Sequence, residues 1–238
     1  MSGLRWRHSA DRWAALAAAV LYCVFMLGFY SFRDTFEFNQ DEGTEVMKAA
    51  MLERGAALYN PLWNDQPPVF TYVLLWAFRA LGSDVVTGRL VVLFFASCLI
   101  FAMYDSVRLQ WGHAAALAAV ALLPCTTYFP KLSVSAMAGL PAIALATIAV
   151  WALFRWESSG RGWWVPVSGA FMGLSLMTKL FTVFLLPVVG LWVLLMAWRR
   201  RSDTAVHRND RVWRPCVLWA VGLLVTTVCL TSWARISW

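Results

Sequence analysis

Charged side chains are scarce in this 238-residue chain, where Asp, Glu, Lys and Arg together make up 14% against 61% hydrophobic residues. Soluble domains carry about a quarter charged residues, so a soluble globular surface cannot be built from this composition. Cysteine is sparse as well. Cys23, Cys98, Cys125, Cys216 and Cys229 all lie in apolar stretches with no C-x-x-C pair and no metal-ligand spacing, which reads as buried free thiols rather than a disulfide framework or zinc site. No small-residue A-x-A cleavage site follows the first apolar run, about Trp13 to Phe32, so that run reads as a retained first helix and not a signal peptide. No internal repeat relates the two halves of the chain, and this counts against a conventional transporter, a class that often shows one.

What is present points to an integral, multi-span α-helical membrane protein. The mean hydropathy is +0.62, and the 15 tryptophans suit the headgroup level, where the indole ring is apolar and its N–H stays wet. A net charge of +7 raises the question of nucleic acid. The basic residues cluster beside apolar segments instead, as cytoplasmic flanks do, and no nucleic-acid partner is expected. Arg5, Arg7 and Arg12 before the first run place the N-terminus in the cytoplasm by the positive-inside rule.

Further spans are expected at about 68–82, 87–106, 113–129 and 136–154, with a last one from about Val212 to Trp233. The run Trp163 to Trp198, interrupted by Lys179 and Pro187, accommodates two short crossings or one tilted crossing plus a half-helix. The basic connector 199–211 follows, with Arg199, Arg200, Arg201, Arg208 and Arg211, and Arg214 lies just beyond it. The charge rule places these arginines in the cytoplasm, whereas two crossings in 163–198 place them outside, so the parity stays open. The expected fold is all-α, a polytopic transmembrane bundle of about seven or eight helices in one domain, residues 1–238, with no C-terminal soluble domain.

Residues 33–67 form the longest polar insert. Seven acids, Asp34, Glu37, Asp41, Glu42, Glu45, Glu53 and Asp65, meet three bases, Arg33, Lys48 and Arg54, and an acidic loop after a positive-inside span belongs outside the cytoplasm. Within it, Val46, Met47, Ala50, Met51, Ala57 and Leu58 share one arc of a helical wheel. Glu42, Glu45, Lys48 and Glu53 lie off that arc, and Arg54 falls inside it. This predicts an amphipathic helix along the outer membrane surface, with Asp41 of the run Asn39-Gln40-Asp41-Glu42-Gly43 at its N-terminus, where a carboxylate is favoured. A plain helix cap is the simpler reading of Asp41, and solvated loop residues the simpler reading of Asp65 and Gln66.

In combination these segments carry a pattern. Asp41-Glu42, Met51-Leu52-Glu53-Arg54-Gly55, Leu58-Tyr59 and Asp65-Gln66-Pro67-Pro68-Val69-Phe70 resemble the first outer loop of GT-C glycosyltransferases of the glycosyltransferase family 39 type, which includes protein O-mannosyltransferases and lipid A aminoarabinose transferases. Gly169-Ala170-Phe171-Met172-Gly173-Leu174-Ser175-Leu176-Met177-Thr178-Lys179, then Leu186-Pro187, is similar to the family's Gly-rich helix ending in Thr-Lys, although Gly-rich membrane helices also arise from close packing alone. One departure is that Lys131-Leu132-Ser133-Val134-Ser135-Ala136-Met137 lacks the acid that some relatives carry before a Met.

The resemblance implies a membrane transferase that moves a sugar from a polyprenyl-phosphate-linked donor to an acceptor at the outer face of a plasma or inner membrane. Asp41 is then the candidate base for the acceptor hydroxyl, with Glu42 holding it in place or sharing a divalent metal ion with it. Tyr59, Asp65 and Gln66 become candidate substrate-binding residues. A phosphate leaving group calls for cations, so Lys179, Lys131 and Arg89 are candidate phosphate partners; the alternatives are a snorkelling Lys179 and an Arg89 on a cytoplasmic flank. Relatives are typically longer, so the chain also reads as a compact or truncated form, or as a subunit needing a second membrane partner. A non-catalytic, carrier-binding subunit is the competing reading, with a transporter third.

Overall fold

The computed structural model describes residues 3–33, 41–60, 62–202 and 213–236. Asp34, Glu37, Asn39, Gln40, Pro61, Arg208 and Arg211 lie outside the described residues. The described residues form helices: α1 (Gly3–Phe29), α2 (Glu42–Glu53), α3 (Val69–Leu81), α4 (Val85–Leu122), α5 (Tyr128–Ser133), α6 (Gly139–Ser159), α7 (Trp164–Thr178), a 3-10 turn (Leu180–Leu185), α8 (Leu186–Ser202) and α9 (Trp213–Ile236). Four segments, Val85–Leu122, Gly139–Ser159, Leu180–Arg199 and Trp213–Ser232, are long and apolar enough to cross a membrane, and Trp13–Phe29, Val69–Leu81 and Trp164–Thr178 are shorter apolar helices. The protein is an all-α integral membrane bundle.

Gly112 divides α4 into two arms. Its φ of 83° and ψ of −179° suit glycine, which lacks the Cβ that penalises such a conformation, and they turn the chain back on itself. Tyr104 on the first arm meets His113 on the second across the turn, Oη to Nδ1 2.9 Å. The first arm packs on α1 around Ala15, Ala19, Met26, Val92, Leu93 and Ala96. A second core joins α6, α7, α8 and α9 through Ala149, Leu153, Val165, Met172, Val193 and Trp219.

The helices share two ends. One holds α2, the start of α4 and Lys179; the other holds the α6–α7 turn, Arg199 and Arg214. Among the described residues the chain passes between these ends along α1, each arm of α4, α6, α7, α8 and α9. The segment expected to cross at 68–82 does not. Asp65, just before α3, meets Lys48 of α2 at 3.5 Å, and Ser83, just after α3, hydrogen-bonds Glu53 of α2. Only Gly82, Ser83 and Asp84 separate α3 from α4, whose first turns carry Arg89 onto Glu42. Both ends of α3 thus lie at the α2 end of the bundle. With that crossing removed, α7 and α8 are two passes and Arg199 arrives at the same end as Arg161 and Arg214.

The polarity of α2 is also the reverse of the surface-helix expectation. Its buried residues are Glu42, Glu45, Lys48, Ala49 and Leu52, while Met47 and Met51 are 61% and 42% exposed. The polar arc faces inward, where ion pairs and hydrogen bonds satisfy it, and the methionines face outward, where apolar side chains suit an interfacial helix.

Glycine lets α7 and α9 touch backbone to backbone. A Cβ on Gly169 would overlap the carbonyl oxygen of Trp219, and one on Gly222 that of Pro166; close approach of this kind drives helix association in lipid, where tails are as apolar as side chains. We expect Gly222→Ala to cost about 1–3 kcal/mol, the usual penalty of overpacking, and to lower Tm in detergent, whereas Gly28→Ala, which meets open space, should leave Tm nearly unchanged.

Candidate functional site

A cavity of about 290 Å3 opens at the α2 end. Asp41, Thr44, Glu45 and Lys48 line it from α2, Trp63, Asp65 and Gln66 from the loop before α3, and Met137, Ala138 and Lys179 from beyond α5 and α7. The structure thus gathers Asp41, Asp65, Gln66 and Lys179, four of the residues singled out in the sequence, around one space.

Asp41 occupies the N-cap position of α2 but makes no side-chain cap hydrogen bond; it is exposed at the cavity. The simple capping role therefore does not account for it. Lys179 lies where α7 ends, its backbone extended at φ −156° and ψ 126°, because the 3-10 turn that follows redirects the chain. Its Nζ sits 6.0 Å from the ring centroid of Phe181 and forms no ion pair with the described residues.

Lys48 organises the wall between them. It is 3% exposed and donates to Glu45 Oε1 at 2.9 Å, Asn64 Oδ1 at 3.0 Å and Asp65 Oδ1 at 3.5 Å. Asn64 in turn donates to the carbonyl of Gln66 at 2.6 Å, and the Gln66 amide donates to Asp65 Oδ2 at 3.0 Å. The Gln66 hydrogen bond, aided by Lys48 and opposed by partial burial, holds the Asp65 carboxyl below its ordinary value of 3.8. A folded-state value below the unfolded one contributes stability that is present above pH 3.8 and is lost as pH falls through the folded value. Accordingly, the Tm gap between the wild type and Asp65→Asn should be constant above pH 5 and close on acidification below about pH 4. Lys48, Glu45 and Asn64 escaped the sequence reading, although Glu45 and Lys48 stand one helical turn apart on the polar arc and that spacing is a recognisable pairing signal.

The remaining candidates lie elsewhere. Tyr59 supports the loop from behind: its Oη donates to the Gln66 carbonyl at 2.8 Å, and its φ of 73°, costly for a bulky side chain, closes the turn in which its N–H meets Leu62 O at 2.7 Å. Burial raises the Tyr59 phenol above its ordinary value. Lys131 is exposed on α5 and does not line the cavity. Arg89 is neither at the cavity nor on a cytoplasmic flank. It is 1% exposed and donates Nε and Nη2 to the two Glu42 oxygens at 2.9 and 2.7 Å and Nη1 to the Phe32 carbonyl at 2.5 Å. Glu42 Oε1 also accepts the Ala136 N–H at 3.0 Å. Both carboxylate oxygens are thus engaged, which does not suit a metal shared with Asp41. Among the described residues, no three His, Cys, Asp or Glu side chains group closely enough to hold a metal ion.

The opposite end carries a second buried charge cluster that the sequence reading also missed. Asp105 is fully buried and accepts from Arg108 Nη2 at 2.6 Å, Arg155 Nη2 at 2.8 Å and Trp151 Nε1 at 2.7 Å, tying the first arm of α4 to α6.

The exposed Asp41 carboxylate, and the Lys179 ammonium with no ion pair among the described residues, face one small polar cavity at the end of an apolar bundle, an arrangement chemically able to accept a proton and to neutralise a phosphate. No curated protein matches the chain significantly. A family model described as dolichyl-phosphate-mannose-protein mannosyltransferase matches residues 65–233; the match includes Asp65, Gln66 and Lys179 and begins after Asp41 and Glu42. Because it spans well over half of the 238 residues, the chain belongs to the dolichyl-phosphate-mannose-protein mannosyltransferase family, and is a membrane glycosyltransferase of mannosyltransferase type.

Proposed function

We propose that this chain transfers a sugar from a polyprenyl-phosphate-linked donor to an acceptor hydroxyl at the outer face of the membrane, with the reaction centred on the cavity between α2 and Lys179. The observation that carries the reading is the convergence of Asp41 and Lys179, distant in sequence, on one cavity. The acceptor oxygen attacks the sugar C1 as the bond from C1 to the phosphate oxygen breaks; Asp41 takes the hydroxyl proton, and the phosphate leaves as an anion. An oxocarbenium-like transition state places positive charge on the sugar and negative charge on the leaving group. Lys179 counters the latter, and no protonated acid is required there. Asp65 and Gln66, held by Lys48 and Tyr59, form the wall against which the sugar rests.

Sidedness follows from charge. Arg161, Arg199 and Arg214 stand at the end opposite the cavity, and the start of α1, with Arg5, Arg7 and Arg12, belongs to that same end by helix order. The positive-inside rule puts that end in the cytoplasm and the cavity outside it. A non-catalytic carrier-binding subunit would need the same cavity but not Asp41, which is where the two readings part.

Steady-state transfer with varied donor tests the phosphate role. Lys179→Gln should raise the donor KM about tenfold, the scale of one charge-assisted hydrogen bond, with Lys179→Arg retaining most of the affinity. A Lys179→Gln enzyme with an unchanged donor KM would remove Lys179 from the phosphate site.

A further inference from the structure

We propose that the arginine end of the bundle holds a second site, for the phosphate head group of an anionic phospholipid in the leaflet at that end. A cavity of about 460 Å3 lies between the turn joining α6 to α7 and the start of α9, lined by Trp156, Trp163, Pro166, Arg214, Pro215 and Leu218 among others. It is separate from the α2 cavity and shares none of its residues.

The lining chemistry is that of a head-group site. Arg214 is exposed, lines this cavity and forms no ion pair with the described residues, and a guanidinium suits bidentate contact with a phosphate diester. Trp163 is 51% exposed and stacks on Trp164 at 3.8 Å, presenting an amphipathic ring at the depth where indoles favour the interface. Val165, buried, and Leu218, half-buried, also line the cavity and offer apolar surface to the first acyl carbons. Arg161 and Arg199 are exposed at the same end, so the field around the cavity is positive. Basic pockets between membrane helices take anionic head groups on these grounds, each cation near the surface contributing about 1 kcal/mol. A lipid seated here would bridge α6, α7 and α9 beside the close approach of Gly222 to Pro166.

The test is native mass spectrometry of the full chain released from nanodiscs of equal phosphatidylglycerol and phosphatidylcholine. The wild type should retain phosphatidylglycerol preferentially. Arg214→Gln should lower that preference about fivefold, the equivalent of one interfacial cation, at unchanged Tm, and Arg214→Lys should keep most of it. Arg199→Gln, outside the cavity, should keep it in full, and millimolar inorganic phosphate should not displace the lipid. Equal retention by wild type and Arg214→Gln would overturn the proposal. So would an equal loss in Arg199→Gln, which would mean a diffuse basic surface, or displacement by inorganic phosphate, which would mean a site for the free anion.

Discussion

Arg89→Met is expected to lower the stability of the protein by about 3–5 kcal/mol, because it leaves the Glu42 carboxylate buried without its counter-charge. Glu42 and Arg89 are each 1% exposed, and their pair does more than neutralise two charges. Arg89 reaches the end of α1 through the Phe32 carbonyl, and Glu42 reaches the connector before α6 through the Ala136 N–H. One ion pair therefore joins α1, α2, α4 and the α5–α6 connector immediately beside Asp41. Thermal unfolding in a mild detergent should show a large fall in Tm for Arg89→Met and for Glu42→Gln. The double variant Arg89→Met/Glu42→Met should recover much of the loss, since matched apolar replacement of a buried pair is often close to neutral. A single-site Tm within a degree of the wild type would mean that water reaches the pair.

Asp41→Asn should leave Tm nearly unchanged and abolish most turnover. The side chain makes no cap hydrogen bond to α2, and asparagine is as good a cap as aspartate, so the helix start survives the change. Losing a positioned general base lowers kcat by about 10²- to 10⁴-fold. Donor KM should change little, because the donor phosphate is assigned to Lys179. Stopped-time transfer assays at saturating donor separate these effects. A parallel rise in KM with kcat intact would move Asp41 from proton transfer to binding.

Much of the architecture is legible in the amino-acid sequence, and the parts that are not share a physical cause. Hydropathy finds α1, α4, α6 and α9 because an apolar run long enough to span is a one-dimensional signal, and it leaves the run that holds α7 and α8 open between one crossing and two. It mistakes α3 for a crossing because thirteen apolar residues packed against α2 look like a short span; only the contacts of Asp65 and Ser83 with α2 show that both ends lie together. Periodicity separates Met47 and Met51 from Glu42, Glu45 and Lys48 but carries no information on which face turns inward, and here Glu45 and Lys48 are inside while Met47 and Met51 are outside; the helix ends at Glu53, short of Ala57 and Leu58, which the expected arc included. The Lys179 break is visible as a charge in an apolar run. The partnership of Arg89 with Glu42, and of Asp105 with Arg155, links distant segments, and nothing in the residues themselves pairs them. Asp41, Asp65, Gln66 and Lys179 are legible as chemistry, through scarce polar groups in an apolar chain; their convergence on one cavity is not.

The most direct test of the account is transfer of radiolabelled mannose from a polyprenyl-phosphate donor to membrane acceptors by the purified chain in proteoliposomes, measured beside Asp41→Asn. Transfer by the wild type that disappears in a folded, donor-binding Asp41→Asn protein is the result the account predicts. Equal transfer by both would contradict the placement of the proton acceptor at Asp41, and donor binding without transfer by either would make the chain a carrier-binding subunit instead of an enzyme in its own right.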